Sequence, residues 1–263
     1  MCLILFAHQV NNQYPLVVAA NRDEFHQRPT DASHYWLEHP QVLAGRDRQA
    51  GGSWMGVNRS GHFAAVTNSR DPEQTKAAER SRGELVLGYL QGDLSAQQYL
   101  DQLSLRAGAY AGFNLLLGDR EDLWYVSNSG PSSEQSPRRL TPGIYGLSNA
   151  SLDTPWPKVT RLKQALNDQL QLRWSDEAML ELMHDRQPAD DEDLPDTGIG
   201  KQWERMLSPA FIVSEEYGTR CTSLIRQDQN GEFSFTERSF GRDGLPTTTQ
   251  QFTFSPKQDA QQE

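Results

Sequence analysis

Residues 2–8, CLILFAH, and 17–25, VVAANRDEF, decide how this chain begins to fold. Each opens as an apolar run of strand length, and Asn11-Asn12 between them is turn chemistry. Cys2 to Ala7 and Leu16 to Ala20 therefore read as a hairpin. The first of these strands carries a cysteine directly after the initiator methionine. Removal of that methionine, which a small second residue permits, leaves a thiol and a free α-amine on one residue. An α-amino group has an ordinary pKa of about 7.7–8.0, so it is partly neutral at pH 7 and can serve as base for its own side chain. The plain alternative is a small apolar residue in an edge strand. The run Asn21-Arg22-Asp23-Glu24 then ends the second stretch with opposite charges beside the strand that starts at Cys2. An arginine there favours a thiolate and lowers its pKa, and the Asp23 carboxylate can accept a hydrogen bond from the α-ammonium. A surface ion pair at a strand end, worth little, is the alternative.

Length and composition bound the rest. A chain of 263 residues makes one large domain or two small ones with a substantial core. A formal net charge of -10 argues against nucleic acid or an anionic membrane as the main partner, because both attract basic surfaces. No apolar run approaches the roughly 20 residues of a membrane-spanning helix. Leu3 to Ala7 is too short for the core of a signal peptide, so a cytoplasmic protein is expected. Cys2 and Cys221 are expected to be reduced. The six histidines form no His-Glu-x-x-His pattern, and neither phosphate-cradling glycine motif is present. No metal or other cofactor is expected.

Strands dominate the first third. Ser53 to Val57 and His62 to Thr67 read as a second hairpin around the turn NRSG, and His26 to Gly52 as a long polar loop. Ser81 with Glu84, and Ser95 with Gln98, form capping boxes ahead of two helices. Strands are expected at Gly112 to Leu117, Leu123 to Val126 and Ile144 to Leu147. Val159, Leu162, Leu166 and Leu170 recur at helical spacing behind two prolines, and a shorter helix is expected from Asp176 to Met183 behind Ser175. QPADDEDLPDTGIG (187–200) is an acidic loop. Late strands are expected at Ala210 to Val213, Thr219 to Ile225 and Glu232 to Glu237, before a polar tail at 257–263. Two groups of antiparallel strands around a helical middle imply an α+β fold in a single domain over 1–256.

CLILFAH, ANRDEF, GRDRQAGGSWMGVNRSG, TNSR, SRGELV, GLSNASLDTPWPKV, LPDTGI and YGTRCTSL together resemble the NRDE family, that of the transport and Golgi organisation proteins, collinearly over roughly residues 2–240. That family is in turn similar to the N-terminal-nucleophile cysteine hydrolases, the branch of penicillin V acylase and conjugated bile acid hydrolase. The resemblance implies a four-layer αββα sandwich with two antiparallel sheets between helices. It implies Cys2 as nucleophile, Arg22 and Asp23 as the pair that polarises and orients it, and Asn68 and Asn149 as oxyanion donors. Arg220 then matches the late arginine that faces the nucleophile. The hydrolases usually space the arginine and aspartate further apart than here.

Trp54 and Trp156 lie in or beside loop motifs and are candidates for an apolar pocket wall, while Arg46 and Asp47 are candidates for a rim that grips a polar head group. The implied activity is hydrolysis of a non-peptide acyl amide. The same resemblance implies a second class of function, a carrier or trafficking protein for haem, lipid or acyl-CoA, because a fold does not settle activity. Either way the expected partner is a small molecule.

Overall fold

The computed structural model describes residues 2–70, 78–119, 121–130, 136–172 and 175–256. In chain order its strands are β1 (Cys2–His8), β2 (Leu16–Phe25), β3 (Thr30–Tyr35), β4 (Val42–Asp47), β5 (Met55–Asn58), β6 (Phe63–Asn68), β7 (Phe113–Gly118), β8 (Leu123–Ser127), β9 (Arg138–Arg139), β10 (Gly143–Leu147), β11 (Tyr217–Gln227), β12 (Phe233–Phe240) and β13 (Pro246–Phe254). Helices α1 (Gly83–Leu90) and α2 (Ala96–Ser104) stand between β6 and β7. Helices α3 (Pro157–Gln171), α4 (Asp176–Leu182) and α5 (Lys201–Met206) stand between β10 and β11.

Alternation along the strands sets the layers, since successive side chains point to opposite faces of a sheet. Leu3, Leu5 and Ala7 pack with Val159, Leu162 and Leu166 of α3, as do Val17 and Ala19 of β2. Ile4, Phe6, Val18 and Ala20 pack instead with Leu43, Val57 and Leu116 of the opposite sheet. A strand buried on both faces has to lie inside a sheet that is itself covered on both sides. The first sheet runs β10-β1-β2-β11-β12-β13 and the second β3-β4-β5-β6-β7-β8-β9, with antiparallel pairing throughout. Helices α1 and α2 close the outer face of the second sheet, where Leu85, Val86, Leu100 and Leu103 meet Ala44, Ala64, Leu115 and Leu117. The order helix, sheet, sheet, helix is the expected αββα sandwich.

Polar bonds also tie the sheets together. Glu237, only 1% exposed, accepts the Ser33 backbone N–H at 2.8 Å and the Ser223 hydroxyl at 3.3 Å. Thr67 Oγ1 donates to the Ser148 carbonyl at 2.7 Å, and Ser148 Oγ to the Cys2 carbonyl at 3.2 Å. These last two bonds draw the ends of β1, β6 and β10 to one place.

Several boundaries differ from the sequence reading. The charged run at 21–24 does not interrupt β2 but continues it to Phe25, because β1 supplies ladder partners as far as Arg22 and β11 all the way to Phe25. The stretch read as a loop over 26–52 contains β3 and β4, whose TDASHY segment carries little apolar signal. Residues 210–213 hold only an isolated bridge from Val213 to Gly218, not a strand. Helix α5 and strands β9 and β13 were not expected; β13, PTTTQQFTF, is a largely exposed edge strand without apolar alternation. Ser95 and Gln98 form the full reciprocal cap, whereas Ser81 Oγ accepts from Gly83 N rather than Glu84 N. The tail at 257–263 lies outside the described residues.

Candidate active site

Cys2 pairs with Arg22 across β1 and β2, and Arg22 pairs with Cys221 across β2 and β11. The three side chains therefore share the face between the sheets. The β11 register shifts between Thr219 and Cys221, so Arg220 is the extra residue of a bulge. Half-buried Cys2 lines a cavity of about 380 Å³ together with Glu24, Arg28, Asp47, Trp54, Asn68 and Arg82. A second cavity of about 520 Å³ adjoins it and shares Glu24, Phe25 and Asn68. The remaining wall of the second cavity includes Asn149, Ile199, Trp203, Leu207 and Tyr217, which makes it the more apolar of the two.

Arg22 is 5% exposed and lies over the Trp54 ring at 4.4 Å. Its Nη2 is 3.7 Å from Asp47 and 4.0 Å from Glu24, and its buried Nη1 has no hydrogen-bond partner. Arg28 takes the short bond to Asp47, at 2.7 Å. Two arginines and two carboxylates thus form one network beneath the cavity, and within it Arg22 keeps donor capacity. Burial pushes the Cys2 thiol up and the Asp23 carboxylate adds to this, while Arg22 and the Asp23 backbone amide oppose it. Desolvation outweighs the arginine, which corrects the expectation of a lowered thiol pKa. Cys221 is pushed up further by burial and by the neighbouring Glu237.

Asp23 follows Arg22 and so faces the other side of the sheet, toward α3. Its Oδ1 accepts from Thr219 Oγ1 at 2.7 Å, and its carbonyl from the Tyr217 hydroxyl at 2.9 Å. Burial raises its pKa; Lys158, Thr219 and Arg22 act in the opposite sense. The β1–β10 ladder pairs Ile4 with Leu147, and continuing that register by two residues sets Asn149 across from Cys2. Asn149 Nδ2 donates to the Asn68 carbonyl at 2.7 Å, leaving its second amide proton for another acceptor. The exposed Asn68 side chain stands on the shared wall between the cavities.

The structure thus brings Cys2, Arg22, Asp23, Asn68 and Asn149 to one end of the first sheet, with Asp47 and Trp54 in the adjoining wall. It does not bring Arg46, Trp156 or Arg220 to the Cys2 cavity. Arg46 turns to Glu38 at 2.6 Å and lies over Trp36 at 4.5 Å, as its alternation with Asp47 on β4 requires. Trp156 precedes α3 and sits under Arg70 at 5.5 Å. Arg220 Nη1 donates to the carbonyls of Phe25, Arg28 and His26 at 3.0, 3.2 and 3.4 Å, so it clamps the turn after β2 rather than facing Cys2. Sequence reasoning missed Arg28, Arg82, Tyr217 and Lys158. A signal existed for Lys158, four residues before Leu162 and so on the apolar stripe of α3.

Two face-to-face antiparallel sheets between helices, with the first strand inside its sheet, define the fold of the N-terminal-nucleophile hydrolases. The Caenorhabditis elegans N-acylethanolamine-hydrolyzing acid amidase ortholog has a similar fold, with a TM-score of 0.50 and 10% identity over 85% of this chain and 92% of that one. Within that fold class the chain belongs to the transport and Golgi organisation 2 family, whose model matches residues 1–242. It is 35% identical over 260 residues to the Transport and Golgi organization 2 homolog of Mus musculus, covering 91% of this chain and 93% of the relative. It is likewise 35% identical over 277 residues to the Homo sapiens homolog, covering 96% and 99%. Among the described residues no helix is long and apolar enough to cross a membrane.

Proposed function

We propose that the protein is an amide hydrolase that attacks a non-peptide acyl amide with Cys2. One observation carries this reading: Cys2 opens into a cavity of about 380 Å³ beside a buried arginine whose Nη1 lacks a partner. A buried donor without an acceptor costs free energy, and an anion at Cys2, whether thiolate or tetrahedral oxyanion, would satisfy it.

In the proposed reaction the mature chain begins at Cys2. Its α-amine takes the thiol proton, the thiolate adds to the amide carbonyl, and Asn68 with Asn149 donates to the oxyanion. Each such donor is worth about 2.7–4 kcal/mol. The α-ammonium then protonates the leaving amine, and water releases the acid from acyl-Cys2. Retention of Met1 would displace the free amine by about one Cα spacing, 3.8 Å, and break this sequence. The apolar second cavity supports placing the acyl group beside Phe25, Trp203 and Leu207.

That same apolar wall favours a second reading, a carrier for lipid or haem. The experiment offers a panel of activated acyl amides to wild type and Cys2→Ala, reads Cys2 by peptide mass, and titrates both proteins with haem and a fatty-acyl ligand. Hydrolysis predicts a burst of acylated Cys2, lost in Cys2→Ala. Saturable binding that survives Cys2→Ala, with no acylation of wild type, would replace hydrolase with carrier.

A further inference from the structure

Lys158 is the residue that neither the resemblance nor the proposed reaction uses. It is 2% exposed, and it occupies the second position of α3 behind Pro157. Two costs fall on an ammonium there. Burial removes its water, and the amino-terminal end of a helix repels positive charge. Two carbonyls partly compensate, since Nζ donates to Leu207 at 2.8 Å and Pro209 at 3.3 Å. Carbonyl dipoles do not neutralise a charge, so a carboxylate is needed nearby.

The carboxylate is Asp23. Val17, Ala19, Asn21 and Asp23 lie in the row of β2 that faces α3, and Asp23 is its last buried member. The segment that Lys158 grips continues into the same place. Asn21 Nδ2 donates to the Ala210 carbonyl at 2.8 Å, and Ile212 N donates at 2.9 Å to the Thr219 hydroxyl that itself donates to Asp23. Three other charged or titratable groups act on Lys158: Arg70 follows β6, Glu204 lies on α5, and Cys2 is on β1, across the sheet. Arg70 and Glu204 pair with each other at 3.0 Å, and both border the small cavity that Lys158 lines. Arg70 is thus matched chiefly by Glu204, although the Asp23 charge also reaches it. Burial brings Lys158 down to about 8, with Asp23 the leading group in the opposite direction.

We propose that Lys158 is a positioning residue of the Cys2 site, a cation sealed behind the sheet that offsets the Asp23 carboxylate, whose unmatched negative charge opposes a thiolate at Cys2, and thereby governs how readily Cys2 gives up its proton. It acts through Asp23 and touches no reacting atom. A cation already matched to Asp23 also leaves the α-ammonium of a chain beginning at Cys2 with less to stabilise it. The amine is then held in the neutral form that a general base needs. This role rests on Cys2 being the reactive group of the site.

The test is the pH profile of Cys2 alkylation by iodoacetamide in the full chain, read by peptide mass, so that no substrate is required. Lys158→Met should move the Cys2 midpoint upward by about one unit, which is about tenfold slower labelling at a fixed pH below it. Lys158→Arg should restore the profile. Lys163→Met, which removes a lysine paired with Asp153 on the helix surface, should leave it unchanged. A folded Lys158→Met with the wild-type profile overturns the proposal. Should that variant fail to fold, Lys158→Gln is read the same way. Should both fail, wild type labelled with 13C-lysine decides: Lys158 titrating in step with Cys2 alkylation supports the role, and titration in the ordinary lysine range overturns it. A Lys158-dependent profile without acyl-Cys2 on any amide would sink the hydrolase reading and leave this one standing.

Discussion

At the scale of single residues, Asp23 and Lys158 are more informative as a pair than either is alone. Removing one partner of a buried ion pair in direct contact costs about 3–5 kcal/mol, which is an upper bound for two buried charges that act on each other through space. Asp23→Asn should therefore destabilise the protein by up to that order at pH 7, as measured by urea denaturation. The sign of its pH dependence follows from Lys158, whose folded-state value of about 8 lies below that of a free lysine. Once Lys158 has lost its proton no buried cation remains to be compensated, so the deficit should shrink as the pH rises past 8. The double variant Asp23→Asn/Lys158→Met should recover stability at pH 7 relative to Asp23→Asn alone. A deficit that is equal at pH 7 and 9 would show that the two charges do not answer one another.

At the scale of elements, the turn between β4 and β5 and the start of α1 form one wall of the Cys2 cavity. A Cβ on Gly52 would lie 2.4 Å from the Gly83 carbonyl carbon, closer than real Cβ contacts come. Gly52→Ala should push the first turn of α1 away, lower the melting temperature at a cost of about 1–3 kcal/mol, and alter Cys2 labelling, because Arg82 and Gly83 move with that turn. An unchanged melting temperature would mean that the turn yields freely. How legible such elements are depends on where their order comes from. β1 and the body of β2 announce themselves by apolar runs, and α3 by its 3.6-residue stripe. β3 and β13 take their order from neighbouring strands, so a segment such as TTTQQ reads as loop. The candidate site divides in the same way. Cys2 and Arg22 are placed by strand pairing that the sequence pattern implies, and alternation would have separated Arg46 from Asp47. The Arg220 bulge has no such signal, because it arises where an eleven-residue β11 must match β2 with one residue to spare.

At the scale of the molecule, burial of histidine ties stability to pH. His8 is 6% exposed, and burial lowers its pKa below the ordinary value, Arg139 acting in the same sense and Asp122 against it. The unfolded chain therefore takes up the His8 proton first, so this contribution is present above about pH 6.5 and is lost as the pH falls below it. Asp23 and Glu237, both raised by burial, act in the opposite direction. Comparison of wild type with His8→Gln isolates the histidine: the stability difference between pH 7 and pH 5 should be smaller in the variant, and an equal difference would remove His8 from the account. The topology carries a consequence for synthesis. Translation delivers Cys2 and Arg22 first, but Arg22 gains its second neighbour only when Cys221 leaves the ribosome. Until then the edge of β2 that β11 covers is open, although β10 is already available to pair with β1. Prematurely terminated chains that lack β11 therefore carry Cys2 and Arg22 without the strand that pairs with the far edge of β2.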